Sequence, residues 1–310
     1  MTISLVVYNG ARYLPVALKS ALEQTYPNFD VLVVDDCSTD DSADIVRDFQ
    51  RRDPRVRLCS HARNLGVGAA RRTAVANALS DWLVLLDADD RLLPGSVETQ
   101  LAVLAENPEA RAIVGRAHYI NAAGERIGAA TVLPLSRERL RGMASRGEPV
   151  GFIQTGALVH RPTILALGNY RADMATAEDV DLWIRMMEQE HLIVTHEAFI
   201  GDCRMHSAST TARVGTLSQL RWRWLEAQMQ CRRDGRPEVG WEDFLMQIRV
   251  LPVPQKLALW RLVYRERLYR KAGVARAEGA WLTLAWSLTL AFLLSPGFVI
   301  RRLWSWRFAP

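Results

Sequence analysis

Asp87, Asp89 and Asp90 place three carboxylates within four residues, directly after the apolar run Trp82-Leu83-Val84-Leu85-Leu86. Crowded carboxylates repel one another and raise each other's pKa unless a cation sits among them. Hard divalent ions such as Mg²⁺ take oxygen ligands and usually share them with substrate phosphates. The spacing therefore suits a metal–phosphate site; the alternative is a polar loop that caps the helix after Pro94. A second apolar run, Phe29–Val34, also ends on acids, Asp35-Asp36.

The elements that must position these acids follow from periodicity. Short apolar runs bounded by polar residues are the pattern of strands buried on both faces. Ile3–Tyr8, Phe29–Val34 and Trp82–Leu86 fit it, and Arg55–Cys59 makes a short third strand in chain order. Between them, Arg12–Gln24 sets Leu14, Ala17, Leu18, Ala21 and Leu22 on one helical face, with Pro15 tolerated in the first turn. Ser38 or Thr39 can cap a second helix that turns Ala43, Val46 and Phe49 inward. A third helix runs from Asn64-Leu65-Gly66 to Leu79. Strict alternation implies right-handed βαβ units and a parallel sheet. Ligands bind outside the carboxyl ends of such strands, so both acidic clusters belong to one sheet edge.

From about residue 111 the pattern loosens. Gly124 marks a hairpin, 137–148 reads as a helix and loop, Val150–His160 is apolar, and Leu192–Ile200 is a further strand. Between these, Ala177–Met187 is a helix with Glu178, Asp179 and Asp181 in its first turn, where acids interact favourably with the helix dipole. Gly66-Val67-Gly68-Ala69-Ala70-Arg71 imitates the start of a dinucleotide fingerprint, but Arg71 stands where the third glycine should be and the stretch follows the third strand. Glycine and alanine there suit close helix–sheet packing.

With 310 residues, 49% hydrophobic and 24% charged, the chain can hold one large domain or one domain plus an appendage. Cys37, Cys59, Cys203 and Cys231 form no C-x-x-C pair and no metal-ligand spacing, which fits a reducing compartment. The chain starts on an apolar strand, and no secretory leader is expected. The net charge of +5 is carried by 256–278, with seven basic residues against two acids.

Six motifs follow one another along the chain: Ile3–Gly10, Gln24-Thr25-Tyr26-Pro27, Val33–Asp40, Asn64-x-Gly66 with Ala70-Arg71, Leu86–Asp90, and Glu178-Asp179-x-Asp181-Leu182-Trp183-x-Arg185. In this order they resemble family 2 glycosyltransferases. The resemblance covers about 2–210 and implies an α/β GT-A fold, Rossmann-like with a mostly parallel sheet flanked by helices. It also implies a nucleotide-sugar donor, a divalent metal (Mn²⁺ or Mg²⁺) and inversion at the anomeric carbon. Carried over by position, Tyr8 and Asp36 would contact the nucleobase and Arg71 would lie near the donor. Asp87, Asp89 and Asp90 would be shared between donor ribose and metal. Asp179 would be the catalytic base. Arg204 and His206 resemble an R-x-H element that closes over the diphosphate, with His206 a metal or acceptor ligand. Two departures stand out: Val6-Val7 runs straight into Tyr8-Asn9, a first strand about two residues short of the family pattern, and Gln219-Leu220-Arg221-Trp222 is one residue short of the processive Q-x-x-R-W motif. Transfer of a single sugar is favoured.

Eight of the ten tryptophans lie beyond residue 220, and tryptophan concentrates at membrane–water interfaces. Ala280–Leu294 is uncharged but short for a span, is followed by Pro296-Gly297, and has Arg276 before it and Arg301-Arg302 after it. That pattern suits a segment dipping into one leaflet of anionic cytoplasmic lipid; the alternatives are a helix packed on the domain or a subunit contact, and nucleic acid is not the expected partner. The expected organisation is a glycosyltransferase domain over 1–215 and a membrane-associated helical region over 216–310. The expected acceptor is a saccharide or lipid-linked precursor of a surface polysaccharide or glycolipid, met at the cytoplasmic face. A sugar-nucleotide-binding scaffold without turnover is a competing reading, and a nucleotidyltransferase another, although the glycine- and lysine-rich loop that the latter needs after its first strand is absent.

Overall fold

The computed structural model describes residues 1–130, 132, 134–174, 176–207, 209 and 215–307, with backbone alone at 215–216 and 303–307. Ala208 and Thr210, and the side chains of Trp304 and Trp306, lie outside the described residues. The chain divides into two compact units. One comprises Met1–Tyr119, Ala129–Ser145 and Val150–Arg204; the other comprises Ile120–Gly128, Arg146–Pro149 and Met205–Pro310.

The first unit begins with the expected alternation: β1 (Thr2–Val7), α1 (Leu14–Leu22), β2 (Asp30–Asp35), α2 (Ser42–Arg52), β3 (Val56–Ser60), α3 (Val67–Asn77) and β4 (Trp82–Asp87). β1 pairs in parallel with β2 and with β4, and β2 with β3. Side chains alternate across a strand. Ile3, Leu5 and Val7, with Val31, Val33, Val84 and Leu86, form one buried layer with Leu14, Ala17, Leu18 and Ala21 of α1 and Val46 of α2. On α3, Ala70, Ala74 and Val75 are buried. Leu5 and Leu86 have no exposed surface, so truncating either to alanine would cost about 2–5 kcal/mol.

Beyond β4 the sheet turns antiparallel. The remaining elements are β5 (Arg91–Leu92), α4 (Ser96–Glu106), β6 (Ala110–Ile120), β7 (Arg126–Ala129), α5 (Arg137–Arg146), β8 (Leu158–His160), α6 (Arg161–Ala166), α7 (Glu178–Glu188) and β9 (Leu192–Arg204). The strand order is β3-β2-β1-β4-β8-β6-β9-β5, with β7 paired to β6 off that path. β8 lies antiparallel to both β4 and β6, and β5 antiparallel to β9. The expected parallel sheet is thus half of a mixed one. The apolar stretch 150–160 contributes only three strand residues. β6, an eleven-residue strand, fills the stretch whose periodicity looked loose. Its residues are almost all enclosed, so both faces carry apolar or packed side chains and the two-residue alternation is blurred.

The second unit is largely helical: α8 (Gly215–Arg233), α9 (Trp241–Val250), α10 (Val253–Ala277), α11 (Trp281–Leu294) and α12 (Pro296–Arg307). Its 120–128 segment turns at Gly124, φ 89°, as the sequence suggests. Two of the tryptophans assigned to a lipid interface serve packing here. Trp224 is buried, donates from Nε1 to Val239 O at 2.7 Å, and meets Trp241 edge-on at 5.4 Å. The Arg221 guanidinium stacks over the Trp241 ring at 3.8 Å. The four cysteines are free thiols.

Candidate active site

Strand register builds the site. Val7 pairs with Asp35 and Val6 with Asp87, so β1, β2 and β4 end level. Past that edge Tyr8 is 52% exposed, and Asn9 (φ 50°) and Cys37 (φ 61°) adopt left-handed backbone. The loops after β1 and β2 are tied together. Asn9 N donates to Ser38 Oγ at 2.9 Å, and Asn9 Oδ1 accepts from Thr39 N at 2.7 Å. Ser38 and Thr39 therefore lace the loops instead of capping α2, whose N-cap position is Asp41. Gly10 is required where the first loop passes the acids. A Cβ there would stand 2.8 Å from Val7 Cγ2 and 3.4 Å from Ala88 Cβ.

Asp36 is buried and accepts three hydrogen bonds: from His61 Nδ1 (2.7 Å), Leu65 N (2.9 Å) and Gly66 N (2.7 Å). His61 Nε2 is held in turn by Thr73 Oγ1 at 2.8 Å. Asp36 thereby fixes the turn into α3, where Gly66 takes φ 88°. A carboxylate offers about four lone-pair sites, so a base N–H would meet one that is already mostly engaged.

The acids after β4 have separate environments. Asp87 Oδ1 lies 2.8 Å from Arg71 Nη2. Burial pushes the Asp87 carboxyl up; Arg71 opposes this and the Asp89 charge adds to it. Asp90 is enclosed: Oδ2 accepts from the Thr155 hydroxyl, and Oδ1 accepts from Arg204 N at 2.7 Å. Burial, then the charges of Asp89 and Asp87, holds its carboxyl well above the usual range. Arg204 also donates from Nε to Asp89 O at 2.8 Å, and its guanidinium covers the Tyr13 ring at 4.5 Å. Cys203 is driven up by burial and by the same three acids, which leaves an inert thiol.

α7 brings further acids to this centre. Asp181 is fully buried and paired with Arg185 at 2.7 Å, and Arg185 donates to Leu167 O (2.7 Å) and Asn169 O (3.0 Å). This is a structural clamp on the loop before the helix. Glu178 is buried, its Oε1 3.2 Å from Arg71 Nε and its Oε2 without a hydrogen-bond partner. Burial, reinforced by the Asp179 charge, lifts Glu178 to about 7. Asp179 is half-buried, and its charge is felt by Arg71, Asp87, Glu178 and Tyr170. Gly68 lets α3 approach: a Cβ on it would stand 2.9 Å from Arg171 O and 3.5 Å from Glu178 Cβ.

Arg71, Asp87, Asp89, Asp90, Asp179 and Arg204 thus gather in the first unit, with Tyr8 and Asp36 on the same sheet edge. His206 belongs to the second unit, where its carbonyl accepts from Ser209 N at 3.2 Å. In sequence, Glu178 reads as a first-turn helix acid within a motif and no more, and Tyr13, His61 and Thr155 carry no site role. Glu178 adjoins Asp179 within a recognised motif and was open to detection; for Thr155 no local signal exists.

Among the described residues no group of three His, Cys, Asp or Glu could by itself hold a metal. The donor chemistry nevertheless fits one. Asp90 is occupied by protein donors, while Asp87 and Asp89 present hard oxygens whose mutual repulsion a cation would relieve. One or two carboxylates completed by substrate phosphates is the usual setting for Mg²⁺.

Comparison with known proteins bears on family and fold. TuaG of Bacillus subtilis, named for teichuronic acid biosynthesis, is 32% identical over 108 residues, 35% of this chain and 43% of TuaG. EpsE of Bacillus subtilis, a glycosyltransferase by name, is 28% identical over 188 residues, 59% of this chain and 65% of EpsE. The chain thus spans less than two thirds of the length of these relatives. Among solved structures, S. aureus TarS 1–349 in complex with UDP superposes with TM-score 0.54 at 14% identity, covering 92% of this chain and 88% of that one. The mannosyltransferase PcManGT from Pyrobaculum calidifontis, in complex with GDP-Man and Mn²⁺, gives TM-score 0.55 at 20% identity, covering 96% and 79%. At these identities the superpositions show the fold, which is GT-A with a helical C-terminal region. The profile of Glycosyl transferase family 2 matches residues 2–165, and the chain belongs to that family.

Proposed function

We propose that the protein transfers one sugar from a nucleotide-sugar donor to an acceptor hydroxyl, inverting the anomeric carbon in a single in-line displacement. The catalytic unit is taken as 1–215 and the appendage as 216–310. Tyr8 and Asp36 face the nucleobase, and Arg71 and Asp87 hold the donor side. Asp89, with Asp87, would hold Mn²⁺ or Mg²⁺. A cation held there would supply positive charge to offset that of the departing diphosphate. Arg204 supports the loop carrying these acids. Asp179 takes the proton of the acceptor hydroxyl, a poor nucleophile that needs a base within hydrogen-bond reach.

The observation that supports this reading is the shared cation Arg71, bonded at once to Asp87 at the end of β4 and to Glu178 beside Asp179. It links the donor side to the helix that carries the base. The acceptor is read as a saccharide or lipid-linked precursor in cell-surface polysaccharide or glycolipid synthesis, met at the cytoplasmic face of a membrane. TuaG, named for teichuronic acid biosynthesis, supports the pathway class.

A panel of nucleotide sugars, screened with Mn²⁺ for thermal stabilisation and then for transfer, tests the reading. Asp179→Asn should keep the stabilisation and lose transfer by about 10²-fold or more. Substantial turnover by that variant would remove Asp179 from its role.

A further inference from the structure

From Gly279 to Ile300 the chain carries no charged residue. Within this stretch α11 turns its apolar side outward. Trp281 is 67% exposed, Leu282 89%, Trp286 65%, Phe292 43% and Leu293 71%, while Ser287 and Ala291 are buried. Positions 281/282, 285/286, 289 and 292/293 share one helical face, so these side chains, with Ala285 and Thr289 between them, form a largely apolar stripe about 18 Å long. Scattered exposed apolar side chains are ordinary; one helical face with five of them, two tryptophans included, marks an interaction site.

Cations flank α11 along the chain on both sides. Lys271 and Arg276 are exposed on α10 before the turn at Gly279, φ 68°. At the other end the Arg261 guanidinium donates to Leu294 O, and Arg301 is exposed on α12. The intervening acid, Glu278, accepts from Ser207 N at 2.8 Å. No described helix is long and apolar enough to cross a membrane, and the fourteen residues of α11 span about 21 Å against about 30 Å of hydrocarbon.

We propose that α11 lies in the plane of an anionic bilayer surface, with Trp281, Leu282, Trp286, Phe292 and Leu293 in the acyl boundary. Lys271, Arg276 and Arg301 then reach lipid phosphates. The proposal rests on reading the C-terminal region as membrane-attached, and adds the face that attaches and its orientation. Lipid suits this face better than a second copy of the chain. A two-fold contact would set the same cations against themselves, whereas lipid phosphate answers both the stripe and its flanks.

The test is sedimentation of the full chain with vesicles of phosphatidylcholine alone and with added phosphatidylglycerol, at low and high salt. Binding should need the anionic lipid. It should fall roughly tenfold or more in Trp281→Ser/Trp286→Ser and about fivefold per cation removed in Lys271→Gln and Arg301→Gln. Circular dichroism melts of these surface variants should match the parent. Absence of binding by the parent chain would overturn membrane attachment itself. Full binding by the double tryptophan variant would overturn only the assignment of α11. Concentration-dependent self-association abolished by the tryptophan changes, without vesicle binding, would assign the face to a second copy and refute the proposal.

Discussion

Arg71 and Glu178 are 107 positions apart in sequence, yet Nε of one and Oε1 of the other lie 3.2 Å apart in a buried pair. Arg71 reaches Asp87 from the same guanidinium. Burial opposes its charge, but Asp87 and Glu178 more than compensate and raise its pKa further. The pair joins α3 to α7, and β4 is attached through Asp87.

Arg71→Ala should be strongly destabilising. It takes the shared cation away from Asp87 and Glu178, and breaking a buried pair typically costs about 3–5 kcal/mol. Arg71→Lys should recover part of this, because a single ammonium cannot reproduce the fork that serves two carboxylates. Urea unfolding at neutral pH measures both; equal stability of Ala and parent would refute the structural role.

The pH dependence has a definite sign. Glu178 sits at about 7 against an ordinary 4.5, so the folded state binds more protons between those values. Its contribution to stability is present below the unfolded pKa and is lost as pH rises through the folded one, by roughly 3 kcal/mol in all. Glu178→Gln should lack this loss. The stability difference, variant minus parent, should become more favourable between about pH 5 and pH 8. Parallel profiles of the two proteins would count against it.

Asp36→Ala should loosen the entry to α3. It removes the acceptor of Leu65 N, Gly66 N and His61 Nδ1, at a cost of about 2 kcal/mol or more. Amide exchange at Leu65 and Gly66 should accelerate ahead of the rest of the domain. Unchanged protection there would show that the carboxylate does not hold the turn.

Asp89→Ala should act on the ligand and leave the fold intact. The backbone carbonyl that receives Arg204 Nε is retained in the variant. Calorimetric titration with donor and Mn²⁺ should show affinity weaker by on the order of tenfold, with little change in melting temperature. Metal-dependent affinity equal to the parent's would exclude Asp89 from the cation site.

The sequence by itself determined the half of the molecule whose signals are local. β1, β2 and β4 read as buried strands because each is a short, largely apolar run, and the acids ending β2 and β4 could be assigned to one edge because parallel βαβ units align their carboxyl ends. The first turn of α7 was legible for the same reason. Tertiary structure alone decided the antiparallel half, because β8 supplies only Leu158–His160 and acquires its identity from β4 and β6 on either side. It also decided which protein groups each acid engages. Asp36 spends its oxygens on partners 25 to 30 positions away, and Asp90 on Thr155 and Arg204, 65 and 114 positions away. Asp87, Asp89 and Asp90 look alike in sequence. They differ because solvation and hydrogen-bond partners, which set the behaviour of a carboxylate, come from segments that only folding brings near.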